Sequence, residues 1–142
     1  MGAFRKKILA ALFIVLSVFF CACESTEDEV VKKVEFTVCD TTRIPTELAE
    51  IIEEKKEKIF KMTYINSGYM YIVVGYGEHS RKNLNVVVEN LYMTDNAIYV
   101  ETNLFTDEMT PTDATAKGAA SIYPYIVLKC EKYDLPVVFD ID

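Results

Sequence analysis

The sequence predicts an α+β domain in which one N-terminal helix packs on a mainly antiparallel β-sheet or a small β-sandwich. Three observations predict this class: one amphipathic segment at residues 46–60, about five strand-like segments after residue 68, and no internal repeat. The length of 142 residues suits a single domain, because it leaves no room for a second sizeable core.

One strand and one helix are predicted in the first part of the domain. Residues 34–39 alternate between apolar and polar, which places Val34, Phe36 and Val38 on one side of a strand. Pro45 suits the first turn of a helix. The helix over residues 46–60 then has one face made of Leu48, Ile51, Ile52, Lys55 and Ile59.

The rest of the domain has a β pattern. Residues 69–76 are aromatic or β-branched almost throughout, which is typical of a strand covered on both faces. Residues 84–93 and 97–105 flank Thr94-Asp95-Asn96, a favourable hairpin turn. A long loop is expected at residues 106–120, followed by strands at residues 122–131 and 137–141.

Composition excludes several functions. A net charge of −7 and a pI near 4.8 argue against nucleic acid as a partner, because phosphate binding needs clustered Lys or Arg. A zinc site usually has three or four Cys, His, Asp or Glu ligands. The single histidine, His79, and two well-separated cysteines do not suggest such a site. No Gly-x-Ser-x-Gly motif surrounds any serine. We therefore expect no cofactor, no metal and no catalytic residue.

The first 33 residues predict export and anchoring. Arg5-Lys6-Lys7 precedes a 13-residue apolar run, which is too short to span a bilayer and fits a signal peptide. The run ends in Cys21-Ala22-Cys23, which resembles a bacterial lipobox. That resemblance implies a signal peptide at residues 1–22, a lipid on Cys23, an acidic tether at residues 23–33, one domain at residues 34–142, and attachment to the outer face of the cell membrane. An ordinary secretory signal and an uncleaved anchor are the alternatives.

Two further groups of residues allow two readings each. Cys39 and Cys130 either pair as a disulfide after export or stay unpaired as small buried residues. All nine tyrosines follow residue 23. By strand alternation Tyr99, Tyr123 and Tyr125 point away from the core side, so they are candidates for partner binding, since tyrosine is favoured at interfaces. Packing beneath the helix or against a second sheet is the alternative.

Several of these segments resemble one known family. Residues 68–78, with the sequence GYMYIVVGYGE, are similar to the strand and Gly-Glu turn of the PrcB C-terminal domain family. Residues 122–129, IYPYIVLK, look like its Tyr-Pro-Tyr strand, and residues 135–139, LPVVF, look like its closing strand. The resemblance covers residues 68–139. The family usually continues with Thr-Gly-Gly-Tyr after Gly-Glu, where this chain has Arg81-Lys82-Asn83-Leu84, and Asn83 is able to adopt the positive φ of such a turn.

The resemblance implies a non-catalytic surface lipoprotein that acts as an accessory subunit of an extracellular protease complex. The membrane, through the lipid, and the protease are then the expected partners. Pro124, between the two tyrosines, joins the candidate contact residues. An exported protease inhibitor is an alternative, in which the loop with Glu78, His79, Arg81 and Asn83 enters a protease cleft. A ligand-binding or structural envelope domain is another.

Overall fold

The chain forms two four-stranded β-sheets and one helix in the part that the computed structural model describes, residues 32–80, 83–106 and 121–141. A central sheet has the strand order β2-β7-β4-β3, and a flanking sheet has the order β1-β5-β6-β8. All neighbours are antiparallel except β6 and β8, which are parallel. The elements are β1 (Lys32–Lys33), β2 (Phe36–Val38), α1 (Thr46–Lys55), β3 (Ile59–Asn66), β4 (Tyr69–Tyr76), β5 (Leu84–Met93), β6 (Ile98–Thr106), β7 (Tyr125–Glu131) and β8 (Val137–Ile141).

The central sheet is covered on both faces. On one face Ile72 and Val74 of β4 pack with Leu128 of β7 against the flanking sheet. On the other face Tyr71 and Val73 pack against α1 through Leu48 and Ile52. Every residue of β4 after Tyr69 is buried, as the unbroken apolar pattern predicted. The expected α+β class, with a sandwich of sheets and a helix packed on it, is confirmed.

The β5–β6 hairpin forms at the predicted turn, and its predicted faces are confirmed. Ile98, Val100 and Thr102 are buried on the inner side of the flanking sheet. A β-bulge between Val88 and Asn90 adds one residue to β5, so the inward-facing positions change from Val86 and Val88 before the bulge to Leu91 and Met93 after it. The Tyr76 and Thr102 hydroxyls are 2.9 Å apart in the core, which joins the two sheets by a buried hydrogen bond.

The helix is shorter than the sequence predicted, and one strand was missed. α1 ends at Lys55, and after a turn closed by the Lys58 N–H and the Lys55 carbonyl (3.1 Å) the chain enters β3. The prediction that Ile59 lies on the apolar helix face was wrong, since Ile59 begins β3 and is 70% exposed. Pairing of β3 with β4 over eight residue pairs outweighs the local helical pattern.

The predicted strand at residues 34–39 is divided between the two sheets. The Val34 N–H donates to the Leu91 carbonyl of the flanking sheet (3.1 Å), whereas the Cys39 N–H donates to the Val127 carbonyl of the central sheet (2.9 Å). The chain therefore crosses from one sheet to the other between β1 and β2. Val34 and Phe36 nevertheless contribute to the same core, between the sheets.

Of the two alternatives for Cys39 and Cys130, the structure shows buried, unpaired thiols. The two side chains belong to clusters on opposite faces of the central sheet, Cys39 on the helix side and Cys130 between the sheets. No helix within the described ranges is long and apolar enough to cross a membrane. Cys23, Arg81 and most of the predicted loop at 106–120 lie outside the described residues.

Candidate functional site

Five of the candidate residues meet at one corner of the central sheet. This corner patch consists of Glu78, His79, Tyr123, Pro124 and Tyr125. The His79 and Ile122 backbones exchange two hydrogen bonds of 2.9 Å, and the Tyr76 N–H donates to the Pro124 carbonyl, also at 2.9 Å. The Ser121 hydroxyl donates to the Glu78 carboxylate. The loop after β4 and the Tyr-Pro-Tyr segment before β7 are therefore held together by backbone pairing.

Gly77 lets this loop pass close to the start of β3. Its φ of +77° lies in the left-handed region, and a Cβ there would lie 3.1 Å from the Ile59 nitrogen and 3.2 Å from the Lys58 carbonyl carbon. The next residue, Glu78, donates its N–H to the Glu57 carbonyl at 3.2 Å. The corner patch is thus positioned against the segment that joins α1 to β3.

Lys56, just after α1, supplies a positive charge to the corner patch. Its Nζ lies 5.1 Å from the centre of the Tyr123 ring, a cation–π contact. A hydrogen bond from the same ammonium to Glu53 raises the pKa of Lys56, so the charge stays in place at neutral pH. In the sequence, Lys56 belongs to the charged run at residues 53–58, which is typical of the solvated side of a helix. Its contact with Tyr123 depends on how α1 packs, and no local pattern indicates it.

Tyr125 packs against the core on the helix side of the central sheet. It joins the cluster beneath α1 that includes Ile52 and Val127, and burial raises the pKa of its hydroxyl. Of the two alternatives for the tyrosines, Tyr125 therefore has the packing role. Tyr123 and Pro124 are half-buried and present part of their surface to solvent.

Tyr99 lies far from the corner patch in the fold. It is on β6, on the side of the flanking sheet away from the central sheet, and its ring stacks on Tyr92 with 5.1 Å between centroids and 10° between planes. Both sheets of the sandwich separate it from Tyr125, which packs on the helix side. Asn83 has a φ of 70°, as expected for a turn before β5.

A pocket of about 620 Å³ lies at the other end of the central sheet, beside β2. Its lining includes Lys129, Tyr69 and both free cysteines. The Lys129 Nζ lies 3.8 Å from the centre of the Tyr69 ring. Burial raises the pKa of the Cys130 thiol to about 11, which keeps it protonated and unreactive at neutral pH.

The described part of the chain brings together no group of three or more His, Cys, Asp or Glu side chains that could hold a metal ion. His79 is engaged instead in structural contacts: besides its backbone pairing, its Nε2 lies 3.1 Å from the Tyr76 carbonyl oxygen. What these residues offer at the corner patch is aromatic surface, the Glu78 carboxylate and the Lys56 ammonium in its ion pair with Glu53, which are groups suited to contact with another molecule.

Fold and site together define a class: a two-sheet α+β domain, with a helix on the central sheet and an aromatic, charged patch where a loop and a strand meet. Comparison with known protein families gives a match to part of the chain. Residues 70–131 match the model of the PrcB C-terminal family, so the resemblance seen in the sequence is confirmed for that segment. The segment runs from β4 to the end of β7 and includes the whole corner patch. No curated protein and no solved structure matches the chain.

Proposed function

We propose that this protein is a non-catalytic, membrane-anchored lipoprotein that serves as an accessory subunit of an extracellular protease and stabilises or tethers it through protein–protein contacts. The observation that carries the proposal is the PrcB C-terminal match at residues 70–131, which supports a protein associated with a protease complex. Lipid attachment at Cys23 rests on the lipobox-like sequence.

The corner patch is the contact surface in this proposal. It lies within the matched segment, and its backbone is fixed by hydrogen bonds between His79 and Ile122 and between Tyr76 and Pro124. A surface that is ordered before binding loses little conformational entropy on association. Tyr123, with the Lys56 ammonium on its ring, supplies the aromatic and cationic character that recurs in interface hot spots.

A lipid anchor would make this contact effective. A tether of about ten residues at 23–33 confines the domain near the membrane and raises its effective concentration toward an exported partner. The domain then needs no reactive group of its own. Consistent with that role, the Cys130 thiol has a pKa of about 11 and His79 is engaged with backbone groups.

The test is affinity isolation of the full-length chain from the membrane of the cells that produce it, followed by assay of any co-isolated protease. We expect a protease that remains active. Tyr123→Ser should reduce its recovery about tenfold, as for loss of a moderate interface contact. Tyr99→Ser is the matched control on the opposite face, and it should leave recovery unchanged. Cys23→Ser should release the protein from the membrane or leave its precursor unprocessed.

Other outcomes would assign a different function. A co-isolated protease that has lost its activity would identify an inhibitor. Retention on cell-wall glycan with no protease recovered would identify a structural envelope domain. Turnover of a peptide or ester by the isolated protein, abolished by one polar substitution, would overturn the non-catalytic assignment.

A further inference from the structure

β3 is an edge strand with an unused row of backbone hydrogen-bonding groups. It pairs with β4 along its full length, and no other strand in the described part of the chain pairs with its outer side. The two-residue Ser67-Gly68 turn makes Asn66–Tyr69 the first hydrogen-bonded pair of the hairpin. Because bonded and non-bonded pairs alternate, the N–H and C=O groups of the odd-numbered residues 59–65 point outward.

The side chains of the same odd-numbered residues are two isoleucines, one lysine and one threonine. Their side chains are on the face of β3 directed toward the flanking sheet, opposite to the helix side where Phe60, Met62 and Tyr64 pack. Ile59 is 70% exposed and Ile65 is 52% exposed. Between them lies Lys61, whose Nζ is 5.8 Å from the centre of the Phe139 ring in β8. An added strand would therefore contact Ile59 near one end of β3, Ile65 near the other end, and the Lys61 ammonium between them.

The charge at this edge selects the kind of strand that fits. Residues 58–66 contain two lysines and no acid, in a chain whose net charge is −7. Two copies paired antiparallel with Ile59 opposite Ile65 would place their Lys61 side chains diagonally across the new pair, about 7–8 Å apart, where like charges repel. A lysine on an edge strand opposes such self-pairing. A foreign strand with a carboxylate opposite Lys61 removes this repulsion.

We propose that the outer edge of β3 binds an extended segment of a partner protein by strand addition, and that this segment carries an acidic residue opposite Lys61 between apolar residues opposite Ile59 and Ile65. Backbone hydrogen bonds supply the affinity, and the alternating side chains supply the specificity. The inference deepens the proposed function and rests on it for the nature of the partner. Peptide binding tests the edge alone, whereas recovery of an active protease tests the function.

The probe is a fluorescent, end-capped octapeptide, Thr-Ile-Thr-Thr-Thr-Glu-Thr-Val, whose glutamate lies opposite Lys61 in the antiparallel register. Its binding to the full-length protein in detergent is followed by fluorescence anisotropy. We expect saturable binding, weakened roughly two- to fivefold when the glutamate is replaced by lysine. Lys61→Glu in the protein should invert that preference.

Two controls separate strand addition from nonspecific adhesion. Methylating the peptide nitrogens of the fourth and sixth residues removes the two N–H groups that face Thr63 and Lys61, and it should abolish binding while the protein is unchanged. Thr63→Pro removes an outward N–H without touching the β4 ladder, so it should also abolish binding. Thr63→Val keeps that N–H and should bind like the wild type.

The proposal is overturned if the methylated peptide binds as well as the parent peptide. It is also overturned if no saturable binding occurs up to a peptide concentration of about 1 mM, since the binding free energy would then be weaker than about −4 kcal/mol. Dimerisation of the wild type that Thr63→Pro abolishes would assign the edge to a second copy instead. Peptide binding without recovery of a protease would keep the edge site and refute the proposed function.

Discussion

Adding one methyl group at Gly77 should cost more stability than adding the same group at Gly68, although the two glycines have nearly the same backbone conformation. Their φ angles are +77° and +79°. Replacing either by alanine imposes the left-handed strain of an L-residue, about 1–2 kcal/mol. Only Gly77 has backbone atoms near the position of the new Cβ, at 3.1 Å and 3.2 Å, whereas nothing lies within 4 Å at Gly68.

The difference in unfolding free energy between Gly77→Ala and Gly68→Ala therefore measures the cost of crowding the loop against the start of β3. Backbone atoms at 3.1 Å must move by a few tenths of an ångström, and overpacking of this kind costs about 1–3 kcal/mol. We expect Gly68→Ala to lose about 1–2 kcal/mol, and Gly77→Ala to lose about 1–3 kcal/mol more. The gain from restricting the unfolded chain is the same for both and cancels.

The assay is urea unfolding of the full-length protein in detergent, followed by far-UV circular dichroism and by tyrosine fluorescence, since the chain contains no tryptophan. Gly77→Ala should also weaken recovery of the protease, because the loop carries Glu78 and His79 into the corner patch. Equal losses of stability in the two variants would refute the idea that the loop is held by its contact with residues 57–59.

Three other measurements test the core and the pocket. Tyr76→Phe should lose about 1–3 kcal/mol of unfolding free energy by leaving the buried Thr102 hydroxyl without its Tyr76 partner, and the double variant with Thr102→Val should lose less than the sum of the two single variants. Additive losses would show that the hydroxyls are not coupled. The raised pKa of Cys130 means that its contribution to stability is complete below the unfolded-state value near 9 and is lost as the pH rises toward 11. Wild type should thus lose about 2 kcal/mol more than Cys130→Ala over that interval, and parallel pH profiles would contradict the assignment. Lys129→Met and Tyr69→Leu should couple by about 0.5–1 kcal/mol in a double-mutant cycle, and zero coupling would exclude the cation–π contact.

Patterns that report burial were reliable in this sequence. The apolar run at residues 69–76 predicted a strand covered on both faces, and the structure places it between the flanking sheet and α1. The alternation at Ile98, Val100 and Thr102 predicted the inner face of β6 correctly. Both features depend only on which side chains are buried, and hydrophobic periodicity indicates buried positions directly.

β3 was not predicted because its local sequence pattern fits the end of a helix better than a strand. Ile59 lies seven residues after Ile52, so it extends the helical period, while Ile59 and Ile65 occupy the exposed side of the strand and remove the apolar–polar contrast. What fixes β3 is long-range pairing with β4 and burial of Phe60, Met62 and Tyr64 beneath α1. Neither is visible in a local window. The exposed isoleucines that hid the strand are also the ones that the proposed partner segment would cover.

Periodicity separates inner from outer faces, but it does not say to which sheet a face belongs. Val34 and Phe36 both point into the core from different sheets, so their regular alternation concealed the crossing between them. For the same reason Tyr99 and Tyr125 both alternate outward, yet they lie on opposite sides of the sandwich. A single partner surface that packs against the face of Tyr99 cannot also reach the corner patch through two sheets. Backbone pairing joins the loop of His79 to the segment of Tyr123, and that loop also lies against residues 57–59, which lead into β3. In the proposed function, one partner would therefore contact the corner patch and the β3 edge together, and Tyr99 would lie outside that contact.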